Sequence, residues 1–349
     1  MRDVIDTLDD WREKNEEFSV ATVVNTWGSA PRPIGSKMVA SLRGGIAGSV
    51  SAGCVEGAVI EEGKTVLASG KPRLLTFGVA DEEAWQVGLA CGGTIQVFVE
   101  PSSALEGIYS ALKSHLEARH PMAVVSVLHG GTERINHKLI VYADGRMEGD
   151  LDIPDQKDHI ARAAVEFLEK ETSGVFDLQD GTSLFVEVYP LPPRLVIIGA
   201  VHLAEALISI AHTVGFDTIL IDPRKAFATR ERFPLANDLI QDWPQEAMPK
   251  LVLDRSAYVV VLTHDPKLDD PALQIALRSN ARYIGALGSR RTNNKRVERL
   301  RKVGFQEDQI ARLHAPIGLD LGGRSPGEIA VSIMAEIIQE RNEVVVGQV

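Results

Sequence analysis

The residues best suited to chemistry lie in a glycine-rich stretch around Cys54, one of two cysteines in the chain. Gly53 precedes this cysteine, and Gly57 follows it in a helix that we predict over residues 55–68. Free N–H groups at a helix start favour a thiolate, the form of cysteine that attacks sulfur or ligates a soft metal. The alternative is a buried structural cysteine, which is the commoner fate of this residue type.

The second cysteine, Cys91, has a similar setting because Gly92 and Gly93 follow it. The spacing between Cys54 and Cys91 gives no reason to pair them. If the two thiols lie close together in the folded chain, they could share a ligand or form a redox pair. Two cysteines are too few for a secreted disulfide framework or for a zinc site of thiolates alone. Cys91 is therefore the candidate helper of Cys54.

A third group of residues surrounds Gly199, which ends a short apolar run before a predicted helix. Such a turn presents N–H groups to a phosphate, with His202 in the first helical turn and Asp222 and Arg224 after the next strand. The dinucleotide fingerprint is met only in part, because Val201 stands where a glycine would let the backbone approach the pyrophosphate. The alternative is a fold of this kind without its usual ligand.

Two further turns follow strands of the same predicted sheet. His264 and Asp265 follow one strand, and Gly288, Ser289 and Arg290 follow the next. Ligands of open α/β sheets bind beyond the carboxyl ends of strands, so the histidine is placed for acid–base work and the second turn for an anion. The alternatives are an aspartate that caps a helix and an arginine that is an ordinary solvated helix residue.

The elements that must position these residues predict an α/β protein of two domains. Pro190, Pro192 and Pro193 mark the boundary, since three prolines in four residues cannot continue a helix or a central strand. Residues 1–189 show an α+β pattern without an internal repeat. Residues 194–349 alternate strands and helices, which predicts a Rossmann-like, doubly wound parallel sheet.

Helix boundaries in the second domain come from apolar spacing and capping signals. We predict helices over 270–279 and 292–303. Near the end of the chain, Ser325, Pro326 and Glu328 form the pattern of a capping box with proline at the first helical position.

Composition narrows the class of protein. The 349 residues include 37 Lys and Arg against 48 Asp and Glu, which gives a formal net charge of −11. Affinity for nucleic acid depends on clustered Lys and Arg, so we expect no nucleic-acid partner. The first residues lack a signal peptide and no apolar run could span a bilayer, so we expect a cytoplasmic protein with reduced thiols and no membrane partner.

Taken together, the motifs resemble those of the XdhC/CoxI family, the accessory factors of xanthine dehydrogenase and related molybdenum hydroxylases. The N-terminal motifs lie at residues 26–32, 51–57 and 91–93. The C-terminal motifs lie at residues 221–224, 232–234, 263–265, 283–291, 316–321 and 325–330. Residues 104–180 carry no motif that matches.

The resemblance implies a protein that binds molybdenum cofactor, helps to replace an oxo ligand by sulfur, and hands the cofactor to an apo molybdenum hydroxylase of the xanthine dehydrogenase type. A cysteine desulfurase would supply the sulfur, and the cofactor would be molybdopterin or its nucleotide-extended form. Carried onto this chain, Cys54 contacts or protects the cofactor at molybdenum. Glu56 and the loop with Gly28, Ser29 and Arg32 become its neighbours.

Two positions depart from the family pattern, since Ala52 and Val201 stand where the family usually has glycine. The change at Ala52 is small, whereas the change at Val201 weakens a nucleotide role for the second domain. The sheet edge with His264 and Arg290 nevertheless suits the phosphate or nucleotide end of the cofactor.

Two other functions stay open. An NAD(P)-dependent oxidoreductase, or a xanthine dehydrogenase-associated subunit, would use the Rossmann-like domain, although two cysteines are too few for the iron–sulfur clusters of a complete xanthine dehydrogenase. A protein-interaction factor would bridge desulfurase and target without holding cofactor. A homodimer is the expectation for a soluble protein of this kind.

Overall fold

The chain divides into two compact units, Met1–Leu191 and Pro192–Val349. The computed structural model describes residues 1, 3–78, 93–118, 120–130 and 137–346. Within the described residues, each unit has its own hydrophobic clusters. No helix in these ranges has both the length and the apolar character needed to cross a membrane.

The first unit consists of two halves with the same order of elements. The first half contains α1 (Ile5–Glu13), β1 (Phe18–Trp27), β2 (Lys37–Ser41), β3 (Ile46–Gly48), α2 (Glu56–Ser69), β4 (Arg73–Phe77) and β5 (Thr94–Pro101). The second half contains α3 (Tyr109–Glu117), β6 (Met122–His129), β7 (Lys138–Tyr142), β8 (Met147–Asp150), α4 (Lys157–Glu169), β9 (Gly174–Asp177) and β10 (Ser183–Tyr189).

These strands form two antiparallel sheets, in the orders β3-β2-β1-β5-β4 and β8-β7-β6-β10-β9. The expectation of no internal repeat is therefore wrong, because the two halves share both element order and strand order. Helix α2 packs on the first sheet and α4 on the second, while α1 and α3 contribute to one cluster that joins both halves.

Two buried ion pairs cross between the halves. Lys37, at the start of β2, pairs with Glu187 of β10 at 2.9 Å. Lys138, at the equivalent start of β7, pairs with Glu100 of β5 at 2.7 Å. Each lysine also donates to a hydroxyl of its own half. The repeat thus extends from topology to individual buried charges, and each half neutralises a lysine of the other.

The second unit is a parallel sheet with helices on both faces. Its elements are β11 (Arg194–Ile198), α5 (His202–Thr213), β12 (Asp217–Ile221), β13 (Asp238–Ile240), α6 (Pro244–Ala247), β14 (Ala257–Val261), α7 (Pro266–Arg278), β15 (Tyr283–Ala286), α8 (Arg290–Lys302), α9 (Glu307–Ala311), β16 (Leu313–His314) and α10 (Pro326–Val346). The order β13-β12-β11-β14-β15-β16 is that of a Rossmann fold, with its switch point between β11 and β14.

Alternate residues of these strands face opposite clusters. Helices α5 and α10 cover one face, and α6 to α9 cover the other. The predicted doubly wound parallel sheet is confirmed.

The ends of three helices in this unit show how capping sets their length. Helix α7 begins at Pro266, four residues earlier than predicted, because Asp265 caps it by accepting from the Lys267 amide at 2.9 Å. Helix α8 begins at Arg290 for the same reason, since Ser289 accepts from the Thr292 amide. The predicted capping box at α10 is confirmed by reciprocal hydrogen bonds between Ser325 and Glu328.

Candidate functional site

The loop before α2 is organised by the carboxylate of Glu56. This carboxylate accepts six hydrogen bonds from residues 49–55. The donors are the hydroxyls of Ser49 and Ser51 and the backbone amides of Val50, Ser51, Gly53 and Val55. The loop therefore folds around its own anion.

Partial burial opposes ionisation of this carboxylate, but the hydrogen bonds from Ser49 and Ser51 outweigh it and lower the pKa of Glu56 to about 2. The sequence predicts Glu56 as a direct neighbour of the cofactor, whereas the structure gives it an internal role. The sequence also predicts free amides for a thiolate at this helix start, whereas the amides of Gly53 and Val55 are donated to Glu56.

Cys54 itself is an exposed free thiol on this loop. The nearby Ala52 has a φ of 61°, a left-handed conformation that glycine adopts more readily than alanine. The loop thus exposes Cys54 to solvent, while its backbone amides donate to the Glu56 carboxylate and to the Ser49 and Ser51 hydroxyls.

A second loop, residues 28–36, lies beside the same core. Ala30 packs against the hydrophobic cluster that contains Val50 and Val55, two residues of the Cys54 loop. Gly93 lies against this second loop, where a Cβ atom would come within 2.3 Å of the Ser29 carbonyl oxygen. The Cys54 loop, the second loop and Gly93 therefore lie close together. Gly93 is the residue that follows Cys91 and Gly92 in the chain. Cys91 itself lies outside the described residues.

Arg32 is the basic residue of the second loop. Its Nε is buried and has no hydrogen-bond partner in the described part of the chain. A buried guanidinium nitrogen without an acceptor costs free energy unless an anion or water satisfies it. This orphaned donor fits a ligand with an anionic group, such as a phosphate.

The second half of the first unit provides an internal comparison. Its helix α4 begins after Gln156, whose side chain makes no capping hydrogen bond. The described residues of the preceding loop include no cysteine, and the Asp150 carboxylate accepts from the Asp152 amide, outside the helix start. The comparison covers the described residues 151–156. The Cys54 loop is therefore a feature of one half of the repeat.

In the second unit, Gly199 turns the chain from β11 towards α5. Its φ is 111°, and a Cβ atom there would lie 2.3 Å from the Thr263 side chain at the end of β14. Val201 has ordinary extended backbone and its side chain packs against the hydrophobic core. Glycine at position 199 is thus required by a close approach across the switch point of the sheet.

Asp222 is predicted to accept from a ribose hydroxyl, but its side chain is 0% exposed. It accepts from the Ala200 amide at 2.7 Å and from the Arg224 guanidinium at 2.6 Å. Burial opposes ionisation, but the Arg224 side chain and the Ala200 amide outweigh it and hold the pKa of Asp222 below the ordinary value of an aspartate. In this conformation Asp222 positions the Gly199 turn and Arg224.

His202 is exposed at the start of α5 and contacts Glu205 at 3.2 Å. Glu205 pairs in turn with Arg232 at 2.5 Å, and Arg232 donates to the Ala200 carbonyl. Arg232 is not among the predicted site residues, although it belongs to one of the family motifs. Arg232 lies in the irregular connection between β12 and β13. The sequence of this connection has no periodic pattern from which its contact with the turn after β11 could be predicted.

The remaining predicted residues follow β14 and β15. His264 and Arg290 are exposed, and neither has a hydrogen-bond or ion-pair partner among the described residues. Asp265 and Ser289 serve as helix caps, so the alternative considered for the aspartate is observed. The carboxyl edge of the sheet therefore presents the exposed side chains of His264, just before the cap of α7, and of Arg290, at the start of α8.

A buried ion pair that sequence reasoning missed supports this edge. Asp269 and Arg296 pair at 2.7 Å with side chains 2% and 1% exposed. Thr263 donates to Asp269, and Arg296 donates to the Leu287 carbonyl. The pair ties the end of β14 to the end of β15. One sequence signal could have revealed this pair: Asp269 and Arg296 each stand at helical spacing from the residues that form the buried face of their helix.

Fold and site together define a two-unit protein with a duplicated first unit and a Rossmann-type second unit. The sequence model described as "XdhC and CoxI family" matches residues 11–78, and the one described as "XdhC Rossmann domain" matches residues 195–337. Together the two models cover more than half of the chain. The chain belongs to the XdhC/CoxI family.

Relatives match over nearly the whole length. The chain is 28% identical over 348 residues to a probable xanthine dehydrogenase subunit of Bacillus subtilis, covering 97% of this chain and 98% of that protein. It is 26% identical over 323 residues to the molybdenum cofactor insertion chaperone PaoD of Escherichia coli, covering 92% and 83%. A crystal structure described as a xanthine dehydrogenase from Bacillus halodurans has a TM-score of 0.75 at 26% identity, with 97% and 96% covered.

Proposed function

We propose that this protein is a chaperone that binds molybdenum cofactor and delivers it to a molybdenum hydroxylase of the xanthine dehydrogenase type. Family membership and the similarity to PaoD support a role in cofactor maturation. The observation that carries the proposal is the exposed Cys54 thiol on a loop anchored by Glu56, with the orphaned Arg32 Nε on the neighbouring loop.

Each of these residues offers a contact that suits this cargo. Thiolate sulfur is a soft ligand of the kind that suits a thiophilic metal centre, so Cys54 would contact or shield the molybdenum end. The guanidinium of Arg32 would bind the anionic phosphate of the pterin. Gly28, Ser29 and Gly53 would let the bulky ligand approach the backbone.

We propose that sulfuration of the cofactor takes place while the chaperone holds it, with a cysteine desulfurase as sulfur donor. An exposed cysteine beside the metal end is accessible to a partner protein, which is the requirement for transfer between proteins. A homodimer in the cytoplasm is the proposed form of the molecule. Sulfuration and the cysteine desulfurase rest on the family resemblance, and the dimer rests on the prevalence of two-fold oligomers among soluble proteins.

For the second unit we propose contacts with phosphate or nucleotide groups at the carboxyl edge of the sheet. His264 and Arg290 are the exposed candidates, while Gly199, Gly288 and Ser289 shape the turns. His202, Asp222, Arg224 and Asp265 are proposed to position this edge. A nucleotide-extended form of the cofactor would use it, and binding of NAD(P) is the competing use.

The test is to measure molybdenum and pterin that co-purify with the Cys54→Ala variant from a host that makes molybdopterin. We expect cofactor content to fall severalfold, while the Asp155→Ala variant in the equivalent loop of the second half keeps it. Unchanged cofactor in Cys54→Ala would contradict the proposed role of the thiol. Saturable binding of NAD(P)H with turnover would favour an oxidoreductase.

A further inference from the structure

The second unit has a cavity of about 520 Å³ away from the candidate residues described above. Its lining includes Arg255, Arg282 and Arg312, together with Asn280 and Ala281. The three arginines stand shortly before β14, β15 and β16, which are neighbours in the sheet. Because these strands are parallel, the cavity lies at their amino ends, at the opposite edge from the turns that follow β11, β14 and β15.

The three arginines are held to different degrees. Arg312 is fixed, since it donates to the carbonyls of Leu277, Ser279 and Ala281 at 2.7–3.0 Å. Arg282 donates to the Tyr258 hydroxyl at 3.3 Å. Arg255 is exposed and has no hydrogen-bond or ion-pair partner in the described ranges. The cavity therefore combines two arginines that donate hydrogen bonds to the protein with one arginine whose donors have no partner among the described residues.

The local charge is positive although the chain as a whole carries −11. Among the described residues that line the cavity, none is acidic. The neighbouring carboxylate of Asp254 is paired with Arg194 at 3.0 Å. Clustered positive charge in a concave site attracts anions and raises their local concentration.

We propose that this cavity is a binding site for a small polyanion carrying phosphate or carboxylate groups. The planar guanidinium of arginine matches the oxygens of such groups and donates two parallel hydrogen bonds to them. The volume falls within the range of sites that enclose small molecules. Arg255 would close on the ligand, while Arg282 and Arg312 would supply the fixed charges.

Isothermal titration of the full chain with inorganic pyrophosphate, and separately with citrate, tests the proposal. We expect saturable binding of at least one probe at constant ionic strength, and the probe that binds identifies the phosphate or carboxylate source. Arg255→Glu should weaken this binding about tenfold or more, as loss of a charge-assisted hydrogen bond and reversal of one charge require. Arg312 is left intact because it caps the end of α7.

Two variants serve as controls at matched charge. Arg162→Glu, at an exposed position of α4 in the first unit, should leave the binding event unchanged. Lys295→Glu, at an exposed position of α8 in the second unit, should also leave it unchanged. Absence of binding by both probes would overturn the proposal. Binding that survives Arg255→Glu, or that disappears in Lys295→Glu, would place the anion elsewhere and overturn it equally.

Discussion

Replacing Glu56 by glutamine removes the charge around which the Cys54 loop folds while keeping the shape of the side chain. The ionised carboxylate accepts six hydrogen bonds, four of them from the backbone amides of residues 50, 51, 53 and 55. An amide side chain offers one oxygen in place of two. We expect the loop to open more often in the variant.

The size of the effect follows from the pKa. A pKa lowered from 4.5 to about 2 corresponds to roughly 3.4 kcal/mol of preference for the ionised form. Because the Glu56 side chain is partly exposed, we discount this to about 2 kcal/mol for solvent screening. A free energy of this size corresponds to a change of about 30-fold in the opening equilibrium.

Hydrogen exchange at neutral pH measures this opening directly. We expect the four loop amides to exchange about 30-fold faster in Glu56→Gln than in the parent, with little change in the strands of the first sheet. Glu61→Gln is the matched control, since Glu61 is an exposed residue of the same helix that contacts Lys64. Equal exchange of the loop amides in the parent and in Glu56→Gln would refute the role assigned to this carboxylate.

Three further outcomes follow from the structure. The loop amides should lose protection as the pH falls from 4.5 towards 2. Because folding lowers the pKa of Glu56, its ionised carboxylate stabilises the loop above pH 4.5, and this stabilisation is lost as the carboxylate is protonated; hydrogen exchange measured across this range checks it. Glu187→Gln should destabilise the first unit by about 3–5 kcal/mol, and Glu100→Gln should do the same, since each leaves a buried lysine unpaired; urea unfolding measures both. Gly199→Ala should lower the melting temperature of the second unit, because the added Cβ would meet the Thr263 side chain. Gly215→Ala, at a φ of 81° with open space around it, should lower the melting temperature less. Equal effects would show that backbone strain, and not the contact with Thr263, is the cause.

The second unit could largely be predicted because its signals are local. Apolar strands, helix spacing and capping residues fix each element, and the carboxyl ends of parallel strands must share an edge. The predicted start of helix α7 is four residues too late, although Leu268 and Ala272 already stand at helical spacing. The decisive signal is the pair Asp265 and Pro266. The role of Asp222 could not be read, since its partners include an amide 22 positions away.

The internal repeat escapes sequence reading because the halves share few identical residues. One trace remains, since Lys37, Gly44 and Gly48 recur with the same spacing as Lys138, Gly145 and Gly149. The four glycines all have positive φ, and the lysines are the buried ones. What survives in both halves is thus what the scaffold needs: turns that only glycine adopts easily, and charges that must be paired.

The same logic separates scaffold from function in the first unit. A feature present in both halves is explained by folding, because the two halves solve the same packing problem. The loop of residues 49–55 is not shared, and neither is its carboxylate or its cysteine. A carboxylate that gathers four amides to display one exposed sulfur contributes nothing that the second half requires for its fold. We therefore propose that binding, and not the stability of the first unit, is the reason that Cys54 and Glu56 occur together.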